Sequence, residues 1–231
     1  GATAERHTTT LGRGGSDYTA ALLGAALDAE AIELWTDVDG VLSADPRLVE
    51  GAFLQPRLSY AELMELSHFG AKVVYPPTVH PARSRGIPLW IKNTFRPDVP
   101  GTLVSDERVS EEASRRTDEA QAGLEAKPSD APVRGISSID RVVLVRLEGA
   151  GMVGVPGSAA RLFGALARAD VSVILISQSS SEHSICFAVA PEDAARARRA
   201  TDQEFSTERA RGQIDDLIVE PDHAVLAAVG E

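Results

Sequence analysis

At 231 residues the chain is long enough for one large or two small domains, each able to bury a core. Its 23 Lys/Arg against 34 Asp/Glu leave a net charge of −11, and with 5% aromatic residues and no basic cluster, that balance argues against a nucleic-acid or anionic-membrane surface. The single cysteine, Cys186, excludes an internal disulfide framework. No apolar run approaches the roughly 18 residues of a membrane helix, and no signal peptide opens the chain, so the expected compartment is the cytoplasm.

In chain order, Ser16 or Asp17 is placed to cap a helix running to about Asp28, with Ala20, Leu23 and Leu27 on one face. Residues 31–38 read as a strand. Ser59-Tyr60-Ala61-Glu62 is a capping box that opens a second helix, with Leu63, Leu66 and Phe69 facing inward. Residues 87–92 and 102–104 read as later strands, and strands alternating with helices predict a mostly parallel sheet. Residues 105–130 hold eight acidic and four basic residues and only two large aliphatic ones, too little apolar surface for an ordered core. Beyond them the pattern is strand 141–147, helix 157–169, strands 171–177 and 184–189, helix 191–205 and strand 214–219, the ferredoxin-like β-α-β-β-α-β order. The chain starts at Gly1 without Met and ends on the strand-like run Ala224–Val229, which reads as a piece of a longer chain.

Three segments carry chemistry. In Leu11-Gly12-Arg13-Gly14-Gly15-Ser16-Asp17, glycines admit close backbone approach, the helix start offers free N–H donors, and Arg13 adds a fork matched to a carboxylate or phosphate. Read alone, it is equally a glycine-rich turn with a surface Arg. Thr36, Asp37 and Arg47 lie in the run that leaves the first strand, the end at which open α/β sheets bind ligands, although Asp39-Gly40 and Asp45-Pro46 alone would be turns. Phe69-Gly70-Ala71-Lys72 closes the second helix with a cation. As structure that is simply a good C-terminus, a cation suiting the helix dipole, and Lys72 is the candidate to face a transferring phosphoryl group if a nucleotide binds here. Gly149-Ala150-Gly151-Met152-Val153-Gly154 matches the dinucleotide fingerprint, but the following strand ends Ile176-Ser177-Gln178, without the acidic residue that would hold a ribose. Its free N–H groups suit an amino-acid carboxylate, with the Gln178 amide opposite. The five histidines show no metal-ligand spacing, and the metal sites among these residues are expected to be none.

In order and spacing, Arg13-Gly14-Gly15-Ser16-Asp17, Thr36-Asp37-Val38-Asp39-Gly40, Asp45-Pro46-Arg47 and Phe69-Gly70-Ala71-Lys72 resemble aspartokinases of the amino-acid kinase family. Gly101-Thr102-Leu103 resembles the end of that kinase domain, and the β-α-β-β-α-β unit resembles an ACT domain. Ile176-Ser177-Gln178-Ser179-Ser180-Ser181-Glu182-His183-Ser184 is similar to the threonine-sensing segment of bifunctional aspartokinase/homoserine dehydrogenases. The resemblance implies an α/β fold: the C-terminal half of an αβα kinase sandwich over residues 1–104, an acidic linker over 105–134, an ACT domain over 135–220 and the first strand of a second ACT unit over 221–231.

It further implies transfer of the ATP γ-phosphoryl group, with Mg²⁺, to the side-chain carboxylate of L-aspartate, in the biosynthesis of threonine, lysine and methionine. Arg13, Ser16 and Asp17 would hold aspartate, Thr36, Asp37, Arg47 and Lys72 the nucleotide, and Lys72 and Asp17 would act in catalysis. Gln178, Met152 and Ser172 would form the effector site for threonine, with homo-oligomers made through ACT domains. Leu42 stands where the family commonly has Tyr near the nucleotide, and Tyr75 where it commonly has His. The family's Lys-Phe-Gly-Gly segment, which cradles the phosphates, occurs nowhere in the 231 residues. The alternative function is a non-catalytic amino-acid-sensing ACT module on a structural half kinase domain.

Overall fold

A computed structural model describes residues 1–10, 12, 14–70, 73–106, 132–179 and 183–230. It divides into two compact units, Gly1–Ser138 with Leu226–Glu231, and Ile139–Val225. Most of the expected acidic linker, residues 107–131, lies outside the described residues.

The first unit carries helices α1 (Gly15–Ala26), α2 (Tyr60–His68) and α3 (Val79–Arg85) and strands β1 (Ile32–Thr36), β2 (Arg57–Leu58), β3 (Leu89–Asn93) and β4 (Thr102–Val104). The sheet order is β1-β3-β4-β2. β1 runs parallel to β3, with Leu34 opposite Ile91 and Thr36 opposite Asn93, and β2 runs parallel to β4. β3 and β4 are antiparallel, so the sheet is mixed. The apolar residues of β1 and β3 (Ile32, Leu34, Leu89, Ile91) are buried with Tyr60, Leu63 and Leu66 of α2 and Val79 and Ala82 of α3.

α2 forms as the capping box dictates: Glu62 N–H donates to Ser59 Oγ at 3.1 Å and Ser59 N–H to Glu62 Oε2 at 2.7 Å. α1 departs from expectation in two ways. Its N-cap is Gly14 in the left-handed conformation, with no side-chain cap from Ser16 or Asp17. Its buried face is Ala21 and Gly24, whereas Leu23 and Leu27 are exposed. Gly24 explains this rotation, because a Cβ there would lie 2.5 Å from Ile32, and the glycine lets α1 settle directly on β1. α3 and β2 were not expected; α3 follows a Pro76–Thr78 turn and ends on left-handed Gly86.

In the second unit the order is β5 (Gly135–Glu148, whose first residues belong to the first unit), α4 (Ser158–Arg168), β6 (Val173–Gln178), β7 (Ser184–Val189), α5 (Ala194–Glu204), α6 (Ser206–Ala210) and β8 (Ile218–Val229). The sheet order β6-β7-β5-β8, antiparallel at β6/β7 and β5/β7, is the ferredoxin-like arrangement. Leu162 and Leu166 of α4 pack with Ile185, Phe187, Ala197 and Phe205 in a separate core, and the Phe163 ring meets Phe187 edge-on at 6.4 Å. Arg161 ties the helices together, reaching Glu204 at 3.0 Å and Glu208 at 2.6 Å over the Phe205 ring. Cys186 is half-buried in β7, and burial pushes its thiol pKa up. The last strand begins at Ile218, after a short helix that was not expected, and runs unbroken through the residues expected to start another ACT unit.

Candidate functional site

Thr36 ends β1, and its carbonyl accepts Thr94 N–H at 2.8 Å, which anchors the following loop to the end of β3. The Thr36 hydroxyl donates to Asp37 Oδ1 at 3.1 Å. Two residues on, Asp39 accepts from Asn93 Nδ2 at 2.7 Å and from Arg96 Nε at 2.9 Å. The chain then pairs backward: Gln55 N–H donates to Val41 C=O and Ser43 N–H to Phe53 C=O, both at 2.8 Å. Thr102, fully buried on β4, closes this arrangement, since its Oγ1 accepts Val41 N–H at 2.8 Å and donates to Gln55 C=O at 2.7 Å. The sequence shows Asp39 and Thr102 only as members of motifs, with no role assigned, and does not mark Asn93; the three act across 47 to 61 residues, which local pattern does not show.

Arg47 stands on the same loop, held by Asp45 through its backbone N–H (2.9 Å), Nε (3.0 Å) and Nη2 (2.6 Å). These bonds hold the Asp45 carboxyl at about 2, below its ordinary 3.8. A depressed pKa stabilises the folded state above the ordinary value, and that contribution fades as pH falls through about 2. A carboxylate-detected NMR titration should therefore place Asp45 near 2 in the native protein and return it toward 3.8 in Arg47→Ala.

The glycine-rich segment meets the stretch that follows α2 in this unit, at Tyr75. Ser16 and Asp17 lie in the first turn of α1, with Ser16 Oγ 3.2 Å from Asp17 Oδ1. Gly14, at φ +73°, lies so close to the Tyr75 ring that any side chain would overlap it. Gly70, at φ +123°, is pressed in the same way against the Ser138 carbonyl. Arg13, Ala71 and Lys72 lie outside the described residues. A cleft of about 360 Å³ is bounded by the β1 loop (Leu42, Asp45, Arg47), by α2 and Val73, and by Ile136 and Ser137 at the start of β5. Among the described residues, no group of three or more His, Cys, Asp or Glu side chains is placed to hold a metal ion, and no helix is long and apolar enough to cross a membrane.

The second unit has its own cleft, of about 320 Å³, between the residue 152–159 loop and β6. Met152, Gln178 and Ile185 line it, together with Ser158 and Ala159, whose N–H groups open α4. Ser172 does not, because it precedes β6 and Gln178 ends it, about 20 Å away at 3.3 Å per residue. The glycines of the dinucleotide-like motif have a packing reason: a Cβ at Gly149 would lie 2.5 Å from Gln213 O, and one at Gly151 2.6 Å from the Gln213 side chain. Residues 180–182 lie outside the described ones.

Residues 1–93 match the amino acid kinase family and residues 145–205 an ACT domain. The chain is 43% identical to the bifunctional aspartokinase/homoserine dehydrogenase of Haemophilus influenzae over 96% of its length, and 41% identical, also over 96%, to the chloroplastic one of Daucus carota. It spans about a quarter of the length of these relatives, 25% and 23%. All of it superposes on aspartokinase III of E. coli solved with aspartate and ADP (TM-score 0.71, 31% identity, 47% of that chain) and with lysine and aspartate (TM-score 0.68, 32% identity, 46% of that chain). The chain thus belongs to the amino acid kinase family over residues 1–93 and to the ACT domains over residues 145–205, a combination that it shares with the aspartokinases.

Proposed function

We propose that this chain is the nucleotide-side and sensing part of an aspartokinase, an enzyme that moves the ATP γ-phosphoryl group to the aspartate side-chain carboxylate. The observation that carries this reading is the convergence of the motif loops in one unit, with Gly14 against Tyr75 and the β1 loop and the end of α2 sharing one cleft. The relative solved with aspartate and ADP supports it. The nucleophile, a carboxylate, is ionised at pH 7 and needs no general base. What the chain must supply is position and positive charge, which the reading assigns to Arg13 at the aspartate α-carboxylate, with Ser16 and Asp17 beside it, and to Arg47 and Lys72 at the phosphates. Thr36 and Asp37 would hold the nucleoside. Mg²⁺ would arrive on the nucleotide, because it keeps several waters and takes phosphate oxygens plus one or two carboxylates, such as the exposed Asp37.

Residues 1–231 are expected to bind ADP yet to release none from ATP in the presence of aspartate, since the phosphate-cradling Lys-Phe-Gly-Gly segment is not among them. Calorimetry with ADP and a coupled ADP-release assay check both halves, and aspartate-dependent turnover by this chain alone would refute the second.

The cleft of the second unit is proposed to take the feedback effector, threonine, by its carboxylate on the α4 N–H groups and by its hydroxyl on the Gln178 amide. Gln178→Ala should then weaken threonine binding several-fold, the worth of a neutral hydrogen bond of about 0.5–1.5 kcal/mol. A titration that answers to lysine and not to threonine, as the lysine complex of the E. coli relative invites, would reassign the effector. β6 is an edge strand with Leu175 and Ile176 exposed, and pairing of chains through their ACT sheets is the proposed assembly.

A further inference from the structure

We infer that the start of β5, Gly135–Ser138, carries effector binding from the cleft of the second unit to the β1 loop and the end of α2; this rests on the effector reading above. β5 is one unbroken strand, yet Gly135–Ser138 belong to the first unit and the residues from Ile139 onward to the second. Its far end enters the effector cleft at once. Leu147 is paired with Ile185, which lines that cleft, and Met152, which also lines it, follows shortly after Glu148. The residues between have little slack, since Gly149 N–H donates to His183 C=O at 3.1 Å and Gly151 N–H to Gln213 C=O at 2.8 Å.

The near end is gripped by the loops that carry the kinase motifs. Arg134, just before the strand, gives its carbonyl to Gln55 Nε2 and its Nε to Glu62 Oε1 at 3.2 Å. A Cβ at Gly135 would lie 3.0 Å from Leu66 and 3.3 Å from the Ser43 carbonyl, so α2 and the β1 loop close on that residue from both sides. Ile136 N–H donates to the same Ser43 carbonyl at 2.8 Å. The Ser138 carbonyl sits where any side chain at Gly70 would be, which gives the glycine of Phe69-Gly70-Ala71-Lys72 a reason in the strand it meets. A paired strand keeps its rise of about 3.3 Å per residue, and close-packed interiors pass a displacement on. A shift of β5 at the cleft therefore reaches Ser43 and Gly70 together, and an effector that favours one position of the strand biases both loops.

The test is hydrogen exchange of residues 1–231 with and without saturating threonine, with lysine as the second probe and calorimetry to establish binding. A bound effector should change exchange in residues 134–138 and 41–55 by about 5-fold or more, the lower end of allosteric coupling, and leave residues 79–93 of α3 and β3 unchanged. Gln55→Ala combined with Glu62→Gln removes both side-chain holds on Arg134 and keeps the backbone bonds of Gln55 to Val41 and Thr102. This variant should bind the effector as the parent does, with residues 79–93 still protected, while the response of residues 41–55 falls at least 2-fold. Binding that alters neither segment, an equal change throughout both units, or an undiminished response in the variant would each overturn the inference. If neither amino acid binds the unaltered chain, the effector reading itself falls, and this inference with it.

Discussion

Thr102→Val is expected to destabilise the first unit by about 2–4 kcal/mol, read as a lower urea midpoint at an unchanged m-value. The two side chains have nearly the same volume, so no cavity opens and the cost comes from hydrogen bonding. In the native protein the Thr102 hydroxyl serves two backbone groups distant in sequence, accepting from Val41 N–H at 2.8 Å and donating to Gln55 C=O at 2.7 Å. Thr102 is completely buried, so no water replaces it, and each orphaned backbone group costs about 1–3 kcal/mol. The same oxygen requires glycine at position 40, where a Cβ would lie 2.5 Å from it. Val41 stands between Gly40 and Leu42 of the cleft, so the variant should also bind ADP more weakly, and Thr102→Ser should recover most of both losses. A full-stability Thr102→Val would show that the loop holds its shape without this bridge.

What the sequence announces and what it conceals divide along the range of the interactions. The capping box at Ser59 is complete within four residues and was legible. The ferredoxin-like order was legible from strand and helix periods, because each element of that unit buries one clear face. The buried face of α1 was not. Leu23 and Leu27 carry the hydrophobic signal, yet Gly24, which has no side chain to give one, makes the close contact with Ile32. β5 was expected from residue 141 but begins at Gly135, because Ser137, Ser138 and Asp140 break the apolar alternation. Ser137 is buried all the same, beside the β1 loop and the end of α2, about 70 to 100 residues upstream. Of the candidate site, the residue types and their loops were readable. Their mutual placement was not, since Asp39 with Asn93 and Thr102 with Val41 are contacts between strand ends that only the sheet order brings together.

Glu62→Ala should cost about 3 kcal/mol, more than any loss of a helix cap alone. Both carboxylate oxygens of Glu62 are in use: Oε2 accepts Ser59 N–H at 2.7 Å and Oε1 accepts Arg134 Nε at 3.2 Å. The Glu62 side chain is 7% exposed and that of Arg134 25%, so the pair is only partly screened by water, and removing one member leaves a half-buried guanidinium unpaired. Capping boxes lost to alanine cost about 1 kcal/mol, which leaves the larger share of the effect to the ion pair. Glu62→Gln separates the two contributions. Its amide oxygen still reaches the Ser59 N–H, glutamine being a normal capping-box residue, while the charge facing Arg134 is gone. It should therefore retain α2 and lose about half of what Glu62→Ala loses. Arg134, just before β5, is held by its backbone as well as by the ion pair, since its N–H donates to Val229 C=O at 2.7 Å and its carbonyl accepts from Gln55 Nε2. Hydrogen exchange should then show faster opening of residues 134–138 in Glu62→Gln, with α2 itself still protected. Equal exchange in the two proteins would mean that the backbone bonds alone hold this strand against the cleft.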